Sequence, residues 1–568
     1  LFRSSGVRFF HDDGPLHDGY TPESAMVFLD RDITFTVEDE AEARSYAEAD
    51  PQFTVVEQTA FGEWQVTRKS GAQVRVPRRA TLNRRIGGLF PTDFDPARWG
   101  IPASMLDSID PIAVWNLVSA VDAFVSAGFS PAELLRVVHP ATVASTQGTG
   151  FGGMRSMHKL FVDRFLGEEY PQDILQETLP NVVAAHTMQS YVGGYGSMIN
   201  PVGACATAAV SIEEGVDKIK AGKADFVVAG AIDDIQVESI VGFGAMNATA
   251  NSNELLARGI SSRFVSRAND RRRGGFVEAQ GGGTVLLTRA SVALDMNLPV
   301  LAVVGHAQTF SDGAHTSIPA PGLGALAVAR GGRDSVIARN LAELGVGIDD
   351  VAFVSKHDTS TNANDPNESD LHTRVGMALG RTPGNPLLVI SQKTLTGHAK
   401  GGACVFQVGG IIDVFRTGLI PANVALDCVD DAMEQYSPLV WLRSPLNLSS
   451  RGPVRAAFAT SLGFGHVSGF LALINPAAFE AIVEREAGRE RLEAWRAASD
   501  RRLRNGQRHI EMGMLGHAPL FTSVEGRRLP DDPAAGIAGD AHEVEAAILL
   551  DPNARLGEDG FYHLPEGK

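Results

Sequence analysis

Residues 200–209 read Asn-Pro-Val-Gly-Ala-Cys-Ala-Thr-Ala-Ala, and the apolar positions that continue them, Ala209, Ile212, Val216 and Ile219, are spaced by three and four. That period belongs to a helix with one buried stripe, which Gly222 should end. Counting back four from Ala209 lands on Cys205, placing the thiol on the buried face of the first turn. Free N–H groups and the positive end of the helix dipole favour a thiolate there. Gly203 and Ala204 are small enough to let other atoms approach the sulfur. A lone cysteine on an apolar helix face more often only packs, so the surrounding chain has to decide.

Around this segment, from about residue 109 onward, helix patterns such as 111–128 alternate with short, nearly all-apolar runs at 226–231, 284–287, 300–304, 387–391 and 470–474. Runs of this kind between helices indicate strands buried on both faces of an α/β sheet. The first hundred residues mix short strand-like stretches with many charges and read as a small preceding segment. Beyond Asn475 the pattern changes to a charged helix over 479–504 and then a polar, Gly/Pro/Asp-rich end, expected to be a loosely attached, solvated tail.

Two further segments carry chemistry. A strand seed, Val351-Ala-Phe-Val, runs into Ser355-Lys-His-Asp-Thr-Ser-Thr361, followed by Asp365 and Glu368. Reactive residues of α/β proteins gather just past the carboxyl ends of strands. The acids fit no calcium-loop spacing and no His-based ligand pattern, so no metal is expected. The second segment spans 387–402 and reads LLVISQKTLTGHAKGG. It again has a strand, then Lys393, then His398 at the mouth of a Gly/Ala-rich helix. The positive end of a helix disfavours imidazolium, so His398 should be neutral. A fourth segment places Gly463-Phe464-Gly465 after a strand, a tight turn presenting an aromatic ring.

The composition narrows the class. The 568 residues include 50 basic and 67 acidic side chains, a net charge of −17, which argues against general nucleic-acid affinity. A 44% hydrophobic content excludes a disordered chain, and the 60 glycines show no every-third spacing. No apolar run approaches the ~20 residues of a membrane span, so a soluble protein is expected. Cys205, Cys404 and Cys428 form neither a disulfide framework nor a zinc site, consistent with a reducing, cytoplasmic compartment. The start at Leu1 without a signal pattern suggests a piece of something longer.

In this order the four segments resemble the β-ketoacyl synthases, the condensing enzymes. The match consists of GACATA around Cys205, HDTST at His357, KTLTGH from Lys393 to His398, and GFG at Phe464. Thr149-Gly-Phe-Gly-Gly-Met154, the stretches 201–236 and 242–251, and Gly275-Phe-Val-Glu-Ala-Gln-Gly281 point to the synthase region of fungal and actinobacterial type I fatty acid synthases. The resemblance implies a thiolase-like α/β fold, with duplicated halves in five αβαβα layers and small additions at both ends. Its segments would be 1–104 (linking), 105–295 (the half bearing the nucleophile), 296–475 (the half bearing both histidines) and 476–568 (a C-terminal extension).

The same resemblance implies a decarboxylative condensation. Cys205 would take an acyl group, His357 and His398 would hold the enolate oxygen, and Lys393 would place positive charge beside His398. The backbone N–H groups of Cys205 and Phe464 would form the oxyanion hole, and Thr359, Thr361 and Phe464 would meet the substrate. No cofactor is expected in this region, because substrates would arrive on the phosphopantetheine of an acyl carrier protein. Implied partners are that carrier, the other synthase domains, and a second copy in a homodimer within a larger homo-oligomer, with no nucleic acid and no membrane. A thiol reagent should then label Cys205 before Cys404 or Cys428.

Four positions depart from the commoner free-standing synthases: Asp358 where Gly is usual, Gln280 where an acid is usual, Gln407 in place of a Glu that pairs with the site lysine, and His466 in place of a Gly. Three rival readings are weaker. Gly148-Thr-Gly-Phe-Gly-Gly153 satisfies the dinucleotide fingerprint of an NADPH-dependent reductase, with Glu168 20 residues beyond Gly148. A non-decarboxylating thiolase would need a second cysteine near the C-terminal Gly-rich loop, where His466 stands instead. A non-catalytic scaffold would not be expected to keep all four reactive residues.

Overall fold

A computed structural model of the chain describes residues 6–10, 20–91, 93–163, 170–313, 323–522, 524 and 541–563. The elements that build the site are β1 (Ile86–Leu89), α1 (Pro111–Ser126), β2 (Val143–Ser145), α2 (Thr207–Lys220), β3 (Phe226–Asp233) and β4 (Gly281–Thr288) in the first half. The second half contributes β5 (Val303–Ser311), α3 (Val336–Glu343), β6 (Val351–Ser355), α4 (Asn364–Leu379), β7 (Leu387–Ile390), α5 (Ala403–Thr417), β8 (Leu439–Trp441), β9 (Ala456–Gly463) and β10 (Val467–Ile474).

Strand periodicity sorts the apolar side chains into layers. In β3, Phe226 and Val228 face the α1 side, while Val227, Ala229 and Ala231 face α2. In β9, Ala457 and Ala459 turn toward the same central layer, and Ala456 and Phe458 turn outward to α3 and α4. The central layer consists of α2 and α5, whose Ile212, Val408, Ile411 and Val414 are buried between the two sheets. The result is five layers: α1, a sheet, the α2/α5 pair, a second sheet, and α3/α4. Near-continuous apolar strands are required because both faces of each sheet are covered.

The two halves repeat one plan. β4 pairs antiparallel with β3, which runs parallel to β2; β10 pairs antiparallel with β9, which runs parallel to β6, then β7 and β8. Each central helix is preceded by a 3₁₀ turn, Ala204–Ala206 before α2 and Lys400–Gly402 before α5. Both turns open on a residue in the left-handed region, with φ of 46° at Ala204 and at Lys400.

The ends of the chain are more involved than their composition suggests. β1 is buried along its length, and Gly88 exchanges backbone hydrogen bonds with Glu278 and Gln280 at 2.8 Å each. Much of the remaining N-terminal region forms small, partly exposed sheets. The charged helix expected over 479–504 is two helices, Ala477–Ala487 and Arg489–Met514, separated at Gly488 with φ of 84°. The polar end is not a loose tail within the described residues. Ile548, Leu556 and Tyr562 join the core cluster beneath α1, and the ring of His139 hydrogen-bonds the Ile548 carbonyl at 3.1 Å. A few well-spaced apolar anchors suffice to seat a mostly polar segment, which average composition conceals. The strand expected at 300–304 is displaced to Val303–Ser311.

Candidate active site

Cys205 is the second residue of the 3₁₀ turn before α2, and its stripe partners Ala209 and Ile212 are fully buried, with Val216 and Ile219 packed against the same core. The end of β9 and the loop after it close over the cysteine. Ser461 donates to the Cys205 carbonyl at 2.8 Å, and the Phe464 N–H is directed at the thiol. Gly463 permits this approach, because a Cβ there would lie 2.5 Å from the Gly203 carbonyl oxygen and 3.3 Å from the Cys205 nitrogen. The half-buried Phe464 ring stacks on Phe243 with centroids 5.8 Å apart.

His357 follows β6 and His398 follows β7. A sulfur and two ring nitrogens from Cys205, His357 and His398 all lie within 4.8 Å of one another, and all three residues are buried. The imidazole centroids are 5.1 Å apart and nearly perpendicular, and Phe276 packs its edge against His398 at 5.1 Å. His398 is held by backbone bonds to Val277 and Ala279, two residues ahead of the Lys400–Gly402 turn and not on the helix itself.

The Lys393 charge acts on His398 as expected, but its hydrogen bonds go elsewhere: the ammonium donates to His357, at the ring Nδ1 (3.2 Å) and at the backbone carbonyl. Burial lowers the Lys393 pKa while the Glu368 carboxylate opposes that fall; with the amine charged it only donates, so Nδ1 of His357 accepts and the ring proton sits on Nε2. His398 Nδ1 has no hydrogen-bond partner among the described residues. Both imidazoles are held well below the usual histidine range, first by burial and then by the Lys393 charge, with Lys400 also acting on His398. The expected neutral state of His398 is present, with burial and two lysines as its main causes.

The expected thiolate at the helix end is not supported. Burial pushes the Cys205 thiol up to about 11; Lys393, the Phe464 N–H and Lys400 pull the other way, while the Asp233 carboxylate adds to the rise. Desolvation of a small anion outweighs a partial dipole charge in a site this enclosed. The expected labelling order also changes, because Cys428 is the exposed cysteine while Cys205 and Cys404 are buried. Cys404 lies in the core beside α2, with its thiol pushed up to about 12, as befits a packing residue.

Gln407 does not face the lysine. Its Nε2 donates to the carbonyls of Ser355 (2.8 Å), Lys356 (3.0 Å) and Thr460 (3.0 Å). The carboxylate acting most on Lys393 is instead that of Glu368, ahead of Asp358; Glu368 accepts from the His357 and Asp358 amides, the Thr460 hydroxyl and Asn364. The sequence pattern presents Glu368 only as a conceivable metal ligand; its place on the first turns of α4, shortly after His357, is the signal that could have marked it. Asp358 and His466 both adopt left-handed φ, 40° and 67°, which explains why glycine suits those positions. Gln280 bridges Asp234 and the Phe90 amide. Thr359 is buried and Thr361 half-buried, with their hydroxyls 3.0 Å apart.

The glycine-rich loop 148–153 is already occupied by an internal anion. Asp233 accepts from the Thr149 hydroxyl, the amides of Gly150 and Phe151, and the Gly401 amide. The donors that a pyrophosphate would use are therefore engaged, and the dinucleotide reading loses its physical basis. Glu168 lies outside the described residues.

With this geometry established, similarity to known proteins is informative. The β-ketoacyl synthase N-terminal domain matches residues 55–293 and the β-ketoacyl synthase C-terminal domain matches 301–427. Fatty acid synthase alpha subunit pigJ of Monascus ruber is 31% identical over 638 residues, which cover 98% of this chain and 34% of that protein. Fatty acid synthase 2 of Mycosarcoma maydis is 33% identical over 572 residues, covering 99% and 15%, respectively. The Saccharomyces cerevisiae fatty acid synthase subunit alpha is 29% identical over 651 residues, covering 98% and 33%. The chain thus spans about a third or less of these relatives. The crystal structure of the noncanonical ketosynthase FabY from P. aeruginosa shares the fold, with a TM-score of 0.79 at 22% identity over 95% of this chain and 82% of that one. Two matched domains in series, carrying a thiol and two imidazoles to one point in a five-layer fold, establish that the chain belongs to the β-ketoacyl synthase family, the condensing enzymes of fatty acid synthesis.

Proposed function

We propose that this chain elongates acyl groups by decarboxylative Claisen condensation with malonyl thioester, both substrates arriving on the phosphopantetheine of an acyl carrier protein. The observation that carries this reading is the convergence of Cys205, His357 and His398 within 4.8 Å. His357 has its Nδ1 engaged by Lys393 and its proton on Nε2, so it is a donor. His398, neutral and with a ring nitrogen within 4.8 Å of the sulfur, is the group that takes the Cys205 proton as the sulfur attacks the acyl thioester. That proton passes to the departing pantetheine thiolate, leaving acyl-Cys205.

Malonyl thioester then loses CO2. The enolate oxygen accepts N–H bonds from His357 and His398, and neutral donors in a buried pocket suit this role because they need no reorganisation. The enolate carbon attacks the acyl-Cys205 carbonyl, whose oxygen is received by the amides of Cys205 and Phe464. Collapse expels the Cys205 thiolate, which takes from solvent the one proton that decarboxylation consumes, and releases the 3-oxoacyl thioester. Lys393, balanced by Glu368, fixes the His357 tautomer. Thr359 and Thr361 line the approach of the pantetheine arm, and the Phe464 ring gates it.

The chain acts within a larger fatty acid synthase in the cytoplasm, beside the carrier and the other catalytic domains, as a homodimer inside a larger assembly. Exposed Phe161, Leu175, Leu179, Met198 and Val202 on the nucleophile half supply apolar surface that a second copy would cover. No helix among the described residues is long and apolar enough to cross a membrane. The test is a split of the two half-reactions. Cys205→Ala should abolish condensation yet release CO2 from malonyl carrier, and adding His398→Ala should slow that release by about 10²–10³-fold. Unchanged release in the double variant would remove His398 from the mechanism.

A further inference from the structure

His357 is flanked by two residues that the proposed chemistry does not use, and they are paired with each other. Lys356 and Asp358 are both fully buried, and the Lys356 ammonium lies 2.7 Å from Asp358 Oδ1. The ammonium also reaches Asn269 Oδ1 (3.0 Å), the Ser369 hydroxyl (2.9 Å) and the Asp365 carbonyl (3.3 Å). The second carboxylate oxygen, Oδ2, accepts from Asn269 Nδ2 at 2.9 Å and from the Ser391 hydroxyl at 2.5 Å. Ser391 stands at the end of β7, two residues before Lys393. One carboxylate therefore ties the loop bearing His357 to the loop bearing Lys393.

From this geometry we infer that the Lys356–Asp358 ion pair is a positioning device, closing the backbone around His357 so that its ring meets Lys393 on one side and the Cys205–His398 space on the other. Asp358 has φ of 40°, a conformation that costs glycine nothing and aspartate something. Glycine would make this turn freely; here a charge pair holds it. Ring placement matters steeply, because a 1 Å error in a reacting group can cost about 10²-fold in rate. Lys356 and Asp358 act through His357 and touch no substrate. The inference rests on the function proposed above.

Two readouts separate positioning from mere stability. Malonyl decarboxylation, measured in the Cys205→Ala background, depends on where His357 sits; alkylation of Cys205 by iodoacetamide in a Cys428→Ser background that keeps Cys205 does not. Lys356→Met and Asp358→Asn are each expected to lower decarboxylation by about 10²-fold, with the alkylation rate unchanged. The asparagine keeps the turn and the Ser391 bond but not the charge. The double variant removes both members of the pair, leaving Asp365 and Glu368 without the Lys356 charge but relieved of the Asp358 charge that opposed them, so it should recover part of the melting temperature lost in Lys356→Met without recovering the rate. If Lys356→Met does not fold, Asp358→Asn and the double variant carry the test. Full decarboxylation in Asp358→Asn, or recovery of both rate and melting temperature in the double variant, would overturn the inference. Absence of CO2 release from Cys205→Ala with native Lys356 and Asp358 would instead overturn the proposed function.

Discussion

The ionisation of Cys205 separates what burial does from what a helix end does, and raising the pH on a Cys428→Ser background measures it. Cys428 is exposed and would otherwise consume reagent first. With the Cys205 thiol at about 11, the thiolate fraction at pH 8 is about 10⁻³, against about a quarter for an unperturbed thiol near 8.5. A more basic thiolate is intrinsically more nucleophilic, which returns roughly one order of magnitude. The net expectation at pH 8 is therefore alkylation slower than that of a free cysteine by roughly 20-fold. Iodoacetamide labelling followed by peptide mass spectrometry should give a logarithmic rate that climbs with unit slope from pH 7 to about 10. Lys393→Met removes the strongest charge opposing the burial effect and should slow labelling further. A plateau below pH 9 would show that the thiolate already exists near neutrality and would refute the primacy of desolvation.

Other expectations concern the shell around the site. Gly463→Ala puts a Cβ 2.5 Å from the Gly203 carbonyl and should reduce acyl transfer to Cys205 by about 10²-fold; Gly409→Ala in α5, with open space at its Cβ, should leave the rate unchanged. Gln407→Glu sets carboxylate oxygens against three backbone carbonyls and should cost about 3–5 kcal/mol in urea unfolding; an unaltered midpoint would show the site to be tolerant of charge. Burial depresses His306 to about 4 and His372 to about 3. The unfolded chain binds these protons first, so the stability they preserve is complete above about pH 6.5 and falls by on the order of 3 kcal/mol each as pH drops to 4. At about pH 5, His306→Gln should remove about one proton from the uptake on unfolding, and an unchanged uptake would refute that assignment.

Much of the site is legible in the linear string. Cys205 lies on the stripe of Ala209 and Ile212, and both histidines follow strand-like runs, because a 3.6-residue period and a buried strand leave marks in sequence. The resemblance of the four motifs supplies the order in which they belong together. What fails is any reading that needs to know the surroundings. The helix-end argument for a thiolate counts a dipole that is local in sequence and omits the desolvation that comes from other elements. Nothing in the string shows that Lys393, whose charge acts on His398 five residues away, makes its hydrogen bonds across to His357. Glu368 escapes recognition because its partners are the His357 and Asp358 amides and Thr460 on β9, which only folding assembles.

By itself the amino-acid string determined the α/β class, the elements that carry Cys205, His357, Lys393 and His398, and the family to which they point, since all of these are properties of local period and motif. Periodicity shows neither the internal duplication nor the meeting of one sulfur with two imidazoles, which the resemblance only implied; the tertiary structure displays them in the matched turns at Ala204 and Lys400 and in the 4.8 Å convergence. It also decided the protonation states, the occupation of the glycine-rich loop by Asp233, and the seating of the C-terminal segment. The physical reason is the same throughout: pKa values, tautomers and loop geometry depend on which distant groups exclude water and donate hydrogen bonds, and that information is not stored in neighbouring residues.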